Sequence, residues 1–541
     1  MRLHLHRFHL PLLVALLAAP FPCAAAGKAY DMGHVQVVGK DAQGEELAGD
    51  PARIELEMGE KSLPMPEILP EAPDRETRTL EEKPFVADQR PKKDEVSVFF
   101  GAGTRGATEF RAQGKGTYQG YSGELSLSRE AKDGYRSTVE DTRTQLAGKV
   151  TTSGEGSYQL TVSGALGSDQ FAQRGARSNP TPDAGIEDDS RAFTVKGNST
   201  LSDGAFFTAY AQVDAATREI TNPRANFSEE QELLSTSVGA EYRRSLKPRL
   251  TGRLGLDLQR DSVEFSTGSD QRFTKRTASL LGDFEMGEKT FLTAGFRDHT
   301  LMEESRFSPM IRLDHRWGKP WQFILSYEED LGNDSLRRTY LPRRYVPYAP
   351  LRASHERRTS GTLNYRAANG NLLGAELFSV REDDAIEFLD AWDPGKGLLT
   401  STFRFAANAK RTGLRLSGTF KLDENFSLTA AGTFQDPTDD ATGRRLSYEA
   451  KRLLDVGLNY REGPLHVDFT RHAASDRVAY IPTARVDPGD YSRSDLVFRY
   501  DFKAHLRAYL KVRDLYDEAQ SLRFNVPEEG RVTLAGLEAN F

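Results

Sequence analysis

The 541-residue chain predicts an all-β fold: a transmembrane antiparallel β-barrel of the outer-membrane type, with about 22 strands. Three observations carry this. Apolar and polar residues alternate at period two over most of the chain after Glu95. Short turns alternate with longer connections along it. The sequence also reads as strand up to its last residue, Phe541.

The first element is an export signal. "MRLHLHRFHLPLLVALLAAPFPCAAAG" has a basic start, an apolar stretch from Leu10 to Ala19, and Ala24-Ala25-Ala26 as a small-residue cleavage site. This marks residues 1–26 as a secretory signal peptide. The only cysteine, Cys23, lies inside it, so no disulfide is expected in the exported chain. Residues 27–94 form a short N-terminal periplasmic segment, acidic and proline-rich in its second half, that reads as linker or plug remnant. Residues 95–541 form the barrel.

Within the barrel region the alternation is explicit. Leu454, Val456, Leu458 and Tyr460 alternate with Asp455, Gly457 and Asn459, and Leu506, Ala508, Leu510 and Val512 with Arg507, Tyr509 and Lys511. One face is apolar and the other fully polar, as in a strand between lipid and a wet lumen. Tight turns recur at "SGEG" 153, "LSDG" 201, "SLKP" 245, "MGEK" 286, "WGKP" 317, "AANG" 367, "LDEN" 422, "REGP" 461 and "FKAH" 502. Between them fall connections expected to be longer, at 168–189, 218–229, 332–353, 384–397, 437–449, 475–490 and 516–529. The short set is assigned to the periplasm and the long set to the cell surface. In the last strand Leu537, Ala539 and Phe541 share one face. A closed barrel must pair its last strand with its first, which orders the terminus.

Composition removes other classes. Mean hydropathy is −0.57, and no apolar run is long enough for a membrane-spanning helix. The net charge of −7 has both signs interspersed, which argues against nucleic acid as a partner. No G-x-S-x-G, HExxH or Cys/His pair appears, so no enzyme activity and no cofactor is expected. His466, Asp468 and His472 share a strand face, but the histidines stand about 20 Å apart on an extended chain, too far for one metal. They read as polar lumen lining.

The tail "VRDLYDEAQSLRFNVPEEGRVTLAGLEANF" resembles the C-terminal signature of TonB-dependent outer-membrane receptors, with Val512, Leu515, Asp517, Gly530, Arg531 and Phe541 in matching places. "AKRTGLRLSGTFKLDENFSLTAAGTFQD" is similar to that family's long strand, tight turn and return strand. The resemblance implies an outer-membrane transport protein that binds or moves a solute at the surface of a Gram-negative bacterium. It also implies that Leu537, Ala539 and Phe541 signal to the barrel assembly machinery. Outer-membrane lipid and lipopolysaccharide are the expected surroundings. The chain departs from the family in residues 27–94, which are too few for a full plug, while a 22-strand lumen of about 22 Å backbone radius is not filled by side chains. A second reading is therefore a passive or partner-gated porin or export channel without TonB coupling. A separate plug or a periplasmic energising partner is the expected partner, and finding one or the other would separate the two readings.

One surface loop stands out: "SLRRTYLPRRYVPYAPLRASHERR", residues 335–358. Arg337, Arg338, Tyr340, Arg343, Arg344, Tyr345, Tyr348 and Arg352 combine guanidinium forks with aromatic faces, the chemistry that captures phosphate or carboxylate. The same residues could equally contact lipopolysaccharide phosphates or pack across the barrel mouth.

Overall fold

The computed structural model describes residues 95–541, except 119, 134–138, 153–157, 173–180, 182, 202–203, 303, 319, 333–344, 482–483, 504 and 518–529. Consecutive strands pair antiparallel, each with the next, in one sheet of 23 strands. One of these, Arg444–Arg445, is a two-residue spur on the strand Phe426–Asp439. The remaining 22 close into a barrel. Closure joins the first strand, Glu95–Gly103, to the last, Val532–Asn540, in the register Val98↔Ala539 and Phe100↔Leu537. Val96 and Phe541 exchange both backbone hydrogen bonds, at 3.1 and 2.8 Å. The barrel thus has no free sheet edge, which lipid would not tolerate.

Alternation sorts side chains between lipid and lumen. On Leu250–Phe265, Leu254, Leu256 and Leu258 point outward and are well exposed, whereas Arg253, Asp261 and Val263 are buried on the inner side. At the short-turn end the outward face carries Tyr118, Tyr121, Tyr158, Trp317, Trp321, Tyr500 and Phe541, an aromatic girdle of the kind that sits at headgroup level. On Glu304–Trp317 the outward apolar face runs from Trp317 up to Phe307, ten residues or about 25 Å of height at a tilt near 40°. That is one bilayer core.

The inner face is polar and locally cross-braced. Arg253 pairs with Asp283 at 2.9 Å, and Arg297 with Glu328 at 2.9 Å. Tyr210 lies across Gly239 and hydrogen-bonds Asp257. A Cβ at Gly239 would sit 2.4 Å from the Tyr210 ring, so this close approach requires glycine.

The described turns fall where expected at one end of the barrel, including Lys247 to Leu250, Trp317 to Trp321 and Glu462 to Leu465. At the other end two of the expected long connections are instead strand. The region 218–229 belongs to Phe206–Asn222 and Phe227–Lys247, joined by a single 3-10 turn at Pro223–Ala225. Likewise 384–393 belongs to Leu372–Asp393, which the turn at 394–397 joins to Leu398–Lys421, strands of 22 and 24 residues. About 10 residues suffice to cross a bilayer. These two hairpins therefore rise well beyond it.

Candidate functional site: a closed outer mouth

The taller hairpin is continuous with the membrane wall up to Asp383↔Asn408, and its pairing resumes in the same register at Ala385↔Ala406, past Asp384, whose φ is +57°. Residues 385–406 then cross the barrel mouth as a lid, covered on both faces. Its tip docks on the tip of the neighbouring tall hairpin. The Asn222 side-chain amide donates to the carbonyls of Lys396 and Gly397 at 2.9 and 3.0 Å. Gly397 has φ +62°, and a Cβ there would lie 3.2 Å from that of Ala225. Backbone angle and contact both call for glycine.

Residues 345–353 form a strap beneath the lid. The Tyr345 hydroxyl donates to Glu229 Oε2 at 2.8 Å, and its carbonyl accepts from the Ser401 amide at 2.9 Å. The Gln231 side chain donates to the Val346 carbonyl at 3.2 Å. Val346 and Leu351 are buried among Val263, Phe265, Phe273, Leu301 and Phe388, and Tyr348 meets the edge of Phe265 at 5.4 Å. The strap thus ties Phe227–Lys247 to Leu398–Lys421, although seven strands separate them along the wall. Lys396 completes the joint, its ammonium 5.7 Å from the Phe227 ring and 5.2 Å from that of Tyr345.

The lid also meets residues 444–480. Tyr448 and Ser401 both donate to Asp390, at 2.5 and 2.6 Å, and the Ser447 amide donates to Glu387 at 2.7 Å. Arg404 pairs with Glu387 and, with Arg444, stacks over Tyr480. At the lid's base Arg411 bridges Glu449 and Glu382, at 2.8 and 3.0 Å. Burial sets the electrostatics. It pushes the Tyr345 phenol up, aided by the Glu229 charge, and holds Arg477 down at about 10. Asp393, at the lid tip, is opposed by desolvation, but hydrogen bonds from Lys396 and the Gly395 amide hold its carboxyl below the usual range.

Of the residues expected to bind solute, Arg337, Arg338, Tyr340, Arg343 and Arg344 lie outside the described residues. Tyr345, Tyr348 and Arg352 come together at the mouth in unequal roles. Tyr345 is buried as a structural pin. Tyr348 keeps 40% of its surface exposed. Arg352 lies 5.0 Å over the Phe405 ring and 3.6 Å from Asp384, with its side chain mostly open. Leu537 faces outward on the last strand, Ala539 shares its face by alternation, and Phe541 is open at the girdle. His466 is bonded to Arg499 at 2.7 Å and His472 to Asp455 at 2.6 Å, each in its own wall pair. Among the described residues no group of three His, Cys, Asp or Glu could hold a metal. Sequence reasoning missed Asn222, Glu229, Lys396 and the lid itself. The signal was there in two Pro/Gly tips, "TNPRAN" and "DPGKG", each short enough to close a hairpin.

The fold resembles several solved structures. The FrpB iron transporter from Neisseria meningitidis (F3-3 variant) aligns with a TM-score of 0.66 at 14% identity, over 83% of this chain and 82% of that one. The ferripyoverdine receptor of the outer membrane of Pseudomonas aeruginosa gives 0.67 at 14% identity, over 84% and 72%. The copper transporter OprC gives 0.66 at 12% identity, over 84% and 82%. No curated protein matches the chain in sequence. The family model "TonB dependent receptor-like, beta-barrel" matches residues 92–515. With its closed 22-strand barrel, the chain belongs to the TonB-dependent receptor-like β-barrel family, transport proteins of the Gram-negative outer membrane.

Proposed function

We propose that the chain takes up a solute captured at an outer mouth that its own lid and strap keep shut, with residues 27–94 serving as a short periplasmic segment rather than a full plug. The observation that carries this reading is the double anchoring of residues 345–353, to Glu229 and Gln231 on one arc of the wall and to Ser401 on another. A contact set that spans the mouth restricts passage from outside without filling the whole lumen. Tyr348 and Arg352 offer an aromatic face and a guanidinium at this seal, suited to a carboxylate- or phosphate-bearing solute or an anionic metal complex. Arg337, Arg338, Tyr340, Arg343 and Arg344 would extend that surface. The structural neighbours named above are transporters or receptors for iron, ferripyoverdine and copper, which makes a chelated metal the leading cargo class. An energising partner in the periplasm would release the seal. Leu537, Ala539 and Phe541 would present the last strand to the barrel assembly machinery.

Planar-bilayer conductance and whole-cell uptake test the reading together. The full chain should be nearly closed, and deleting residues 346–353 should open a steady pore in a barrel that still folds. Uptake by the full chain should collapse when the proton-motive force is dissipated. If uptake persists without that force, the barrel is a passive or partner-gated channel. If the deletion leaves the pore closed, the strap is not the seal.

A further inference from the structure

The outer wall carries a cationic row that neither the lid nor the lumen uses. Arg357, Arg381 and Lys410 lie directly opposite one another on three adjacent strands, in the registers Arg357↔Arg381 and Arg381↔Lys410. Arg381 is four residues above Leu377, which is 66% exposed on the outward face, so all three share the lipid-facing side. Like charges placed directly opposite on a sheet face are destabilising. Three carboxylates compensate in part: Glu329 stands directly opposite Arg357 on the next strand, Asp383 holds Arg357 at 3.0 Å, and Asp440 lies 3.5 Å from Lys410. Arg381, between them, is exposed and makes no hydrogen bond or ion pair with any described residue.

Height decides what surrounds the row. Tyr365, stacked with Trp321 in the girdle at the short-turn end, lies eight residues below Arg357 on the same face, about 20 Å at a tilt near 40°. That puts the Arg381 backbone about 5 Å below the top of the apolar belt, from which a long arginine side chain reaches the headgroups of the outer leaflet. On another arc, Arg191 stands exposed at a similar height without a cationic partner directly opposite it, and above it Glu187, Asp189, Glu219, Glu230 and Glu232 occupy the exposed outward positions.

We infer that Arg357, Arg381 and Lys410 form a binding site for the phosphate of an outer-leaflet lipid headgroup. Arg381 supplies a bidentate fork and its neighbours supply flanking charge. The anion relieves the repulsion within the row.

The full-length protein is reconstituted in phosphatidylcholine nanodiscs, alone or with bisphosphorylated lipid A, and lipid retained after washing is quantified by native mass spectrometry. Wild type should retain bisphosphorylated lipid A about five-fold better than Arg381→Gln. Dephosphorylated lipid A should be retained equally and weakly by both. Arg129→Gln, which removes an exposed outward arginine elsewhere, should behave as wild type. Heat-modifiable mobility verifies that each variant is folded, and Arg381→Lys replaces Arg381→Gln if that variant fails. Equal retention by wild type and the Arg381 variant overturns the proposal. So does displacement of the lipid by inorganic phosphate at equal concentration, which would make the row a site for the free anion.

Discussion

The membrane-spanning wall and the crown above it are built from the same strands and held together by different physics. In the wall, apolar side chains such as Leu254, Leu256 and Leu258 face outward, and their stability comes from lipid. In the crown, the same strands have left the lipid. Stability there comes from buried hydrogen bonds and ion pairs, such as Asp390 with Tyr448 and Ser401, or Arg411 between two glutamates. A wall cross-braced at every step is held in one shape. A lid held by a few directional contacts can be released by breaking them, and the gated uptake proposed for this chain requires that difference.

The sharpest way to break the comparison is to injure each region separately. A charge in the lipid belt, Leu256→Arg, should destabilise the barrel by about 2–4 kcal/mol. This should appear as a lower urea midpoint for loss of heat-modifiable mobility, while conductance of the folded fraction stays low. Removing the strap should do the reverse, raising conductance with the urea midpoint little changed. Should both injuries lower the midpoint alike, wall and crown form one cooperative unit.

At the closure seam, Phe541→Asp places a charge beside Val96 in the girdle and should sharply reduce the folded barrel recovered from outer membranes. Normal recovery would remove Phe541 from any assembly role. Within the crown, Tyr345→Phe deletes the hydroxyl that reaches Glu229 and leaves a buried carboxylate short of a donor, a loss of about 1.5–3 kcal/mol in strap docking. Faster proteolysis in the strap of intact cells would report it. Gly397→Ala should act on the tip alone, through strain at positive φ and contact with Ala225, and should give more frequent brief openings in single-channel records.

The smallest effect expected is on pH. Asp393 titrates below the ordinary carboxylate range when the lid tip is docked. Its contribution to docking is therefore complete above the unfolded carboxylate pKa and is lost as pH falls through the lower, docked value. Openings should be independent of pH near neutrality and increase only in strongly acid solution. An increase between pH 6 and 8 would assign the tip's pH response to another group.

The sequence by itself determined the barrel. Period-two alternation fixes which residues meet lipid, as Leu454, Val456 and Leu458 illustrate, because a one-residue slip would put the opposite face into the bilayer. Turn chemistry at "REGP" and "LDEN" fixes one end, and alternation along Val532–Asn540 marks the strand that pairs with Glu95–Gly103. The crown was not legible in this way. Alternation marks a strand only where its two faces meet different solvents, and above the membrane both faces of residues 385–406 are covered by protein. Glu387, Asp390 and Arg404 then look like loop residues until their partners at Ser447, Tyr448 and Tyr480 arrive from a distant part of the chain. The aromatic and basic character of Tyr345, Tyr348 and Arg352 could be read from the sequence. That Tyr345 pins the strap while Tyr348 and Arg352 stay open was decided only by the tertiary structure, which sets each side chain's distance from Glu229, Phe265 and Phe405.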